Sequence, residues 1–317
     1  MRPSGKLHVG HLYGALQNWA RLQDEYQCFY MVADWHALTT DYADTSKVSD
    51  NSREMVIDWL TAGIDPARSV IFRQSDVIEH AELFLLLSMV TPLGWLFRCP
   101  TYKEQLKEIK DKDIHTFGFL GYPVLQAADI LIYKASAVPV GEDQLPHLEL
   151  TREICRRFNN YYGEIFPEPQ AILTKSARVP GIDARKMSKS YGNAITLGEE
   201  PDEIKKKVQQ MFTDPVKMRA NDPGHPDGCV VFAFHAIFTP DFKAIEDECK
   251  AGARGCVSCK KQLTEALAAS LAPLREKRKE LSEDKHLVER ILADGGKKAK
   301  EAASATMAEV RKALKLV

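Results

Sequence analysis

Long apolar runs, net charge and glycine-rich phosphate loops are what this 317-residue sequence is short of, and each shortage excludes a class of protein. A membrane span needs roughly 20 consecutive apolar residues. The uncharged stretch Leu83 to Phe97 is fifteen residues long and carries Pro92 and Gly94, so it reads as a buried helix and no membrane partner is expected. The chain does not open with a basic segment, an apolar stretch and a small-residue cleavage site. Nothing therefore points to export, and a cytoplasmic location is expected. With 44% hydrophobic and 27% charged residues, the composition is that of a folded protein and not a disordered one. Internal repeats and low-complexity tracts are missing too. Neither GxxxxGK(S/T) nor GxGxxG after a strand occurs, which removes the two usual glycine-rich cradles for a nucleotide.

Two totals hide a distribution. The net charge of −1 is a cancellation, because residues 1–249 carry −8 and residues 250–317 carry +7. A polyanionic partner for the C-terminal part is thus not excluded. Seven cysteines is an odd number in a chain without an export signal, which argues against a disulfide framework. Four of them (Cys229, Cys249, Cys256 and Cys259) fall within 31 residues. Cys28, Cys99 and Cys155 sit in apolar or helical stretches and read as buried thiols.

The length fits two domains at about 100–200 residues each. In the first part, apolar runs alternate with helical patterns. Leu12, Ala15, Leu16, Trp19 and Leu22 recur at helical spacing, Cys28 to Ala33 is a short continuous run, and Met55 to Leu60 lies in a helix ending near Gly63. Val70 to Phe72, Ile130 to Tyr133 and Val138 to Val140 read as further buried runs, with one long helix across Ala81 to Phe97. Strands alternating with helices predict a parallel sheet covered on both faces, with ligands at the carboxyl ends of the strands. Beyond about residue 196 the patterns are helical apart from the short run Cys229 to Phe234. Gly295-Gly296 is expected to separate two helices, and the last of them to pack back on the protein.

Two segments carry nucleotide chemistry. Pro3-Ser4-Gly5-Lys6-Leu7-His8-Val9-Gly10-His11 stands at the entry to the first helix, where free backbone N–H groups favour an anion. His8 and His11 project there as donors to phosphate, and Gly10 lets a flat base lie on the backbone. Far downstream, Lys186-Met187-Ser188-Lys189-Ser190 places two ammonium groups three residues apart. Such a loop suits a triphosphate and the charge that develops as pyrophosphate leaves. An HxGH helix start followed by KMSKS resembles the signature of class I aminoacyl-tRNA synthetases.

The segments Tyr122-x3-Gln126-x2-Asp129, Val138-Pro139-Val140-Gly141-Glu142-Asp143-Gln144 and Ala33-Asp34-Trp35-His36 are similar to those of tryptophanyl-tRNA synthetases along essentially the whole chain. Tyrosyl enzymes share the Tyr-x3-Gln-x2-Asp element but normally carry a Gly-Gly version of the Val140–Gln144 segment. The resemblance implies an α/β fold: a Rossmann-type parallel-sheet catalytic domain, residues 1–192, ending in the KMSKS loop, then an all-helical anticodon-binding domain, residues 193–317. It implies His8, His11, Lys186 and Lys189 as catalytic. It places ATP against Arg2, Pro3, Ser4, Gly10, His11, Gly141, Glu142, Asp143, Val179 and the loop Lys186, Met187, Ser188, Lys189 and Ser190. It places tryptophan against Asp129, Tyr122, Gln126, Gln144 and His36. An indole N–H only donates, so a carboxylate at Asp129 in an otherwise apolar pocket is a suitable acceptor, and phenylalanine would leave it unpaired. Mg²⁺ accompanies ATP, tRNA(Trp) is the second substrate, and a homodimer is expected. Relatives have a strand before the Arg2 segment, so Met1 is expected to be an internal methionine about ten residues into the protein. Phe97 stands where relatives carry an acidic residue.

Cys229-x19-Cys249-x6-Cys256-x2-Cys259 offers four thiolates, which suit tetrahedral Zn²⁺ or an iron–sulfur cluster equally well. A subset of bacterial tryptophanyl enzymes carries a 4Fe-4S cluster on a pattern whose last two gaps match. The resemblance therefore favours 4Fe-4S, with Zn²⁺ as the alternative. Arg254, Lys260 and Lys261 flank this set, in the region expected to face tRNA. Tyrosine activation, a nucleotidylyltransferase sharing HxGH and a non-catalytic iron–sulfur RNA-binding paralogue are the competing readings.

Overall fold

The computed structural model describes residues 1–109, 112–173 and 179–316, with the backbone alone at Glu108 and Ser190. After the opening loop, the first helical stretch runs through α1 (Val9–His11), a π-helical turn (Leu12–Leu16) and α2 (Gln17–Leu22). Then follow β1 (Cys28–Val32), α3 (Asp34–Asp41), α4 (Val48–Thr61) and β2 (Ser69–Arg73). Next come α5 (Glu79–Val90), α6 (Leu93–Arg98), α7 (Pro100–Glu108) and α8 (Phe117–Leu131). β3 (Ala137–Val140), α9 (Leu145–Tyr162) and β4 (Gln170–Leu173) complete the alternating part. β1 pairs in parallel with β2, Cys28 opposite Ser69, and β3 in parallel with β4, Ala137 opposite Gln170. The two pairs form separate two-stranded sheets, and a cavity runs between β1 and β3.

The rest is helical: α10 (Pro201–Gln210), α11 (Val230–Phe238), α12 (Phe242–Lys250), α13 (Cys256–Glu283) and α14 (Leu287–Ala313). The α/β class with a parallel sheet and a helical C-terminal region is as expected. Four local expectations fail. The run Ala81 to Phe97 is two helices, because Thr91 before Pro92 is extended (φ −91°, ψ 115°), the conformation a following proline imposes. Ile130 and Leu131 close α8 and are not strand, since α8 buries Val124, Ala127, Ala128 and Leu131 along one helical face. The run from Cys229 to Phe234 caps and opens α11. Short apolar runs carry no period that separates strand from buried helix.

The fourth concerns Gly295-Gly296, which lies inside the single helix α14. A Cβ on Gly295 would come within 1.8 Å of the Ile71 carbonyl oxygen. The pair is therefore a contact surface, where helix backbone lies directly on β2. Farther along α14, Ala299, Ala303, Met307 and Val310 join Phe72, Leu83, Val124, Leu131 and Phe158 in one core. A second core gathers Leu7, Val9, Leu16, Met55 and Trp59 with Leu263, Leu267 and Leu271 of α13. The tail thus packs back on the α/β part, and buried side chains cross the chain position 192–193 in both cores.

A polar tie crosses it as well. Arg278 of α13 donates from Nε to Asp58 Oδ1 at 2.7 Å and also bonds Glu54, while Asp58 Oδ2 accepts the Leu7 N–H at 2.5 Å. Leu7 is the residue before His8. Its carbonyl accepts Leu197 N–H at 3.1 Å, and Val9 N–H reaches the Ile195 carbonyl at 2.9 Å. The HxGH segment is thereby held on one side by α4 and on the other by the chain that leaves the KMSKS loop.

Candidate active site

His8 caps α1 and His11 ends it, so the two rings lie on one side with centroids 3.7 Å apart. His8 N–H donates to His11 Nδ1 at 3.3 Å. An accepting Nδ1 puts the His11 proton on Nε2, the donor required by a phosphate oxygen. Burial and the Lys189 and Lys186 charges pull His11 down to about 4. Burial, His11 and Lys189 pull His8 down to about 3. Both rings are neutral donors at pH 7. A Cβ on Gly10 would lie 2.9 Å from His8 Nδ1 and 3.6 Å from Met187 Sδ, so only glycine leaves this backbone open.

The KMSKS loop comes to the same place. Lys189 Nζ donates to the Ser4 carbonyl, from 185 residues away, and lies 3.5 Å from Ser4 Oγ. Burial lowers the Lys189 pKa, and Asp58 opposes the shift. Asn193 organises the loop: its Oδ1 accepts Ser188 N–H at 2.7 Å, and its Nδ2 donates to Asp183 Oδ1 at 2.8 Å and to the Lys186 carbonyl at 3.1 Å. Met187 and Val179 are buried in the first core, and Lys186 is exposed. Of Ser190 the backbone alone is described, in the turn Lys189–Tyr191. Arg2 bonds Thr40, Pro3 is buried, and burial lowers the Arg2 pKa. Gly141, Glu142 and Asp143 form the exposed turn before α9, and Asp143 bonds locally to Gln144.

A cavity of about 680 Å³ between β1 and β3 is lined by His36, Tyr122, Gln126, Asp129 and Gln144, together with Arg2. All five residues expected to meet tryptophan share this one space. Asp129 does not sit among apolar groups, as the sequence suggests. Its Oδ2 bonds His36 Nε2 at 2.8 Å, and its Oδ1 accepts from Gln74 Nε2 at 2.8 Å and bonds His80 Nδ1 at 2.6 Å. Burial pushes the carboxyl up, but the His36 and His80 hydrogen bonds and charges overcome it and hold Asp129 at about 2. It is an ionised acceptor.

The four cysteines come from the start of α11 (Cys229), the end of α12 (Cys249) and the first turn of α13 (Cys256 and Cys259). Each is partly buried, and burial, helped by Cys229 and Cys256 and opposed by Lys217, pushes the Cys249 thiol up. Burial pushes Cys259 to about 12, lowered by Arg254 and raised further by the other three thiols. Among the described residues, no three His, Cys, Asp or Glu side chains are gathered closely enough to hold a metal ion. The flanking cations turn inward: Arg254 bonds Glu248 and Gln262, and Lys260 donates to the Gln209 and Met211 carbonyls.

Residues 1–272 match the family described as tRNA synthetases class I (W and Y). A tryptophan–tRNA ligase of Thermotoga maritima is 53% identical over all of this chain and 98% of its own length. One of Aquifex aeolicus is 47% identical, again over all of this chain and 98% of its own. The chain belongs to the bacterial tryptophanyl-tRNA synthetases. The Campylobacter jejuni tryptophanyl-tRNA synthetase, solved with ADP and tryptophan, superposes with a TM-score of 0.89 at 35% identity, covering 99% of this chain and 98% of that one. Tyrosine activation and the non-catalytic alternative give way to a tryptophan–tRNA ligase. No described helix of this synthetase is long and apolar enough to cross a membrane.

For a tryptophanyl-tRNA synthetase, the sequence reading missed what stands behind the named residues. Gln74, in the turn after β2, and His80, at the start of α5, both hold Asp129, and His80 Nε2 continues to Tyr133 Oη at 2.7 Å. His147 links Tyr122 to Gln144. No local signal marked them, because a histidine or glutamine beside apolar residues fits ordinary packing.

Proposed function

We propose that the cavity takes tryptophan and that the His8–Lys189 group takes ATP, so that the tryptophan carboxylate attacks the α-phosphorus and pyrophosphate leaves. The observation that carries this reading is the meeting of the two basic segments, Lys189 against Ser4 and Met187 against Gly10, at the entry to α1. Neutral His8 and His11 donate to phosphate oxygens. Lys186 and Lys189 offset the charge that grows on pyrophosphate. Arg2, Pro3, Ser4, Ser188 and Ser190 border the triphosphate, Gly141, Glu142 and Asp143 the ribose, and Val179 the adenine through its backbone. Mg²⁺ enters with ATP. Asp129 accepts the indole N–H beside His36, and Tyr122, Gln126 and Gln144 receive the ammonium. The 2′-hydroxyl of the tRNA(Trp) terminal adenosine then attacks the activated carbonyl. No enzyme nucleophile is needed, so catalysis is positioning and electrostatics.

Lys189→Ala tests the loop. Tryptophan-dependent ATP–pyrophosphate exchange should fall about 10²- to 10³-fold, the usual loss of one charge-stabilising group, while tryptophan binding stays within twofold. Unchanged exchange overturns the assignment.

Cys229, Cys249, Cys256 and Cys259 would hold a 4Fe-4S cluster, with Zn²⁺ as the alternative; either group would cross-link the ends of α11, α12 and α13. Supporting this is the origin of the four thiols at the start of α11, the end of α12 and the first turn of α13; since no three described side chains are close enough to hold a metal, the thiols would have to draw together on loading. A colourless, zinc-loaded protein from anaerobic purification overturns the cluster. A homodimer is supported by Leu85 and Met89 on α5 and Leu93 and Phe97 on α6, all exposed; Phe97 thereby gains a role. The positive C-terminal part suits tRNA, and this work belongs to the cytoplasm.

A further inference from the structure

We propose that His147 is a positioning residue for the substrate ammonium, holding Tyr122 and Gln144 so that both turn oxygen lone pairs into the cavity. The proposal rests on the reading that these two residues receive the ammonium. His147 lies in the first turn of α9, is 2% exposed and lines the cavity.

The direction of every proton in this group follows from Asp143. A carboxylate only accepts, so the Gln144 group that faces Asp143 Oδ2 at 3.2 Å is its NH₂. The amide is thereby oriented, and its Oε1 faces His147 Nδ1 at 3.0 Å. An amide oxygen also only accepts, so Nδ1 carries the proton. Burial and the His36 charge hold His147 at about 4 against the pull of Asp143, so the ring is neutral and Nε2 is a bare lone pair. Tyr122 Oη stands 2.8 Å from Nε2 and must donate to it. The hydroxyl proton is thus turned away from the cavity. A primary ammonium has three donors and no acceptor. It meets a Tyr122 oxygen whose proton is already engaged and a Gln144 oxygen that cannot rotate away. With the chain reversed, the Tyr122 proton would point at the ammonium.

The test compares L-tryptophan with indole-3-propionate, which keeps the indole and the carboxylate and lacks the amine. For purified full-length His147→Phe, the tryptophan dissociation constant should rise about tenfold or more, while inhibition of pyrophosphate exchange by indole-3-propionate changes less than twofold. Equal weakening of both ligands means that His147 only supports packing and overturns the proposal. Tyr122→Phe separates the two layers. If it leaves the ratio of the two affinities unchanged, the ammonium reading itself fails. If it lowers the ratio and His147→Phe does not, the role of His147 alone fails. Should His147→Phe not fold, ¹⁵N shifts of His147 in the wild-type enzyme decide: an Nδ1–H tautomer is expected, and an Nε2–H tautomer overturns the argument.

Discussion

Replacing Arg278 with methionine removes one cation from between two carboxylates and keeps most of the side-chain volume. The Arg278 and Asp58 side chains are 13% and 1% exposed, against 26% for Glu54. Burial pushes the Asp58 carboxyl up, and Arg278 and the Leu7 N–H pull it back. In Arg278→Met the Leu7 amide remains as compensation. Breaking a buried pair from one side costs about 3–5 kcal/mol. Glu54 turns into water and adds little. Asp58→Leu in the Arg278→Met background removes the stranded charge and leaves the Leu7 N–H unpaired, which costs about 1–3 kcal/mol. The double variant should therefore recover about 2 kcal/mol over the single one. The pH dependence has a definite sign. A carboxyl raised in the folded state contributes fully below its unfolded pKa, and that contribution is lost as pH rises through the folded value. Without Arg278 the raised value climbs further, so the Arg278→Met defect should be smaller at pH 5 than at pH 7. Urea unfolding of the three proteins at both pH values measures this. A single-variant loss under about 1 kcal/mol, or a defect equal at the two pH values, refutes the reasoning. Since Leu7 precedes His8, the KM for ATP should rise more than the KM for tryptophan.

Other outcomes follow from the same structure. Gly295→Ala drives a methyl group into the Ile71 carbonyl, so α14 must lift from β2, with a loss of about 3 kcal/mol; Gly296→Ala, whose Cβ would be 3.4 Å from its nearest neighbour, should lose far less in the same denaturation. With His8 held at about 3 and His11 at about 4, kcat/KM for ATP should carry no titration of His8 or His11 between pH 5.5 and 8. A break near pH 6.5 that disappears in His8→Asn would contradict the neutral-donor assignment. Met89→Glu puts a charge in the middle of the exposed α5–α6 stripe; on the proposed dimer face, sedimentation should show dimers for the wild type and monomers for the variant, and an unchanged oligomeric state rules this face out.

How far the site was legible depends on how each residue acts. His8, His11, Lys186 and Lys189 stand in short segments whose spacing is itself the chemistry, and the fold brings those segments together. Asp129, Tyr122 and Gln126 share one face of α8 because residues three and four apart do so on any helix. Gln74, His80 and His147 act through partners 55, 49 and 25 residues away. Nothing in their own neighbourhoods marks them, since a hydrogen bond between elements leaves no local period. The same holds for Gly295-Gly296: as local chemistry the pair breaks a helix, and the close approach of β2 makes it a helix interior.

The sequence by itself therefore determined the alternation of strand and helix, the parallel pairing that alternation requires, the HxGH and KMSKS segments and the concentration of four thiols. Each of these is a local or periodic property, set by side-chain spacing along one stretch of chain. Tertiary structure alone decided that Asp129 is an ionised acceptor ringed by His36, Gln74 and His80, that α14 lies on β2, and that Arg278 reaches the HxGH segment through Asp58. Burial and charge pairing are sums over elements far apart in the chain, and only folding fixes which ones meet.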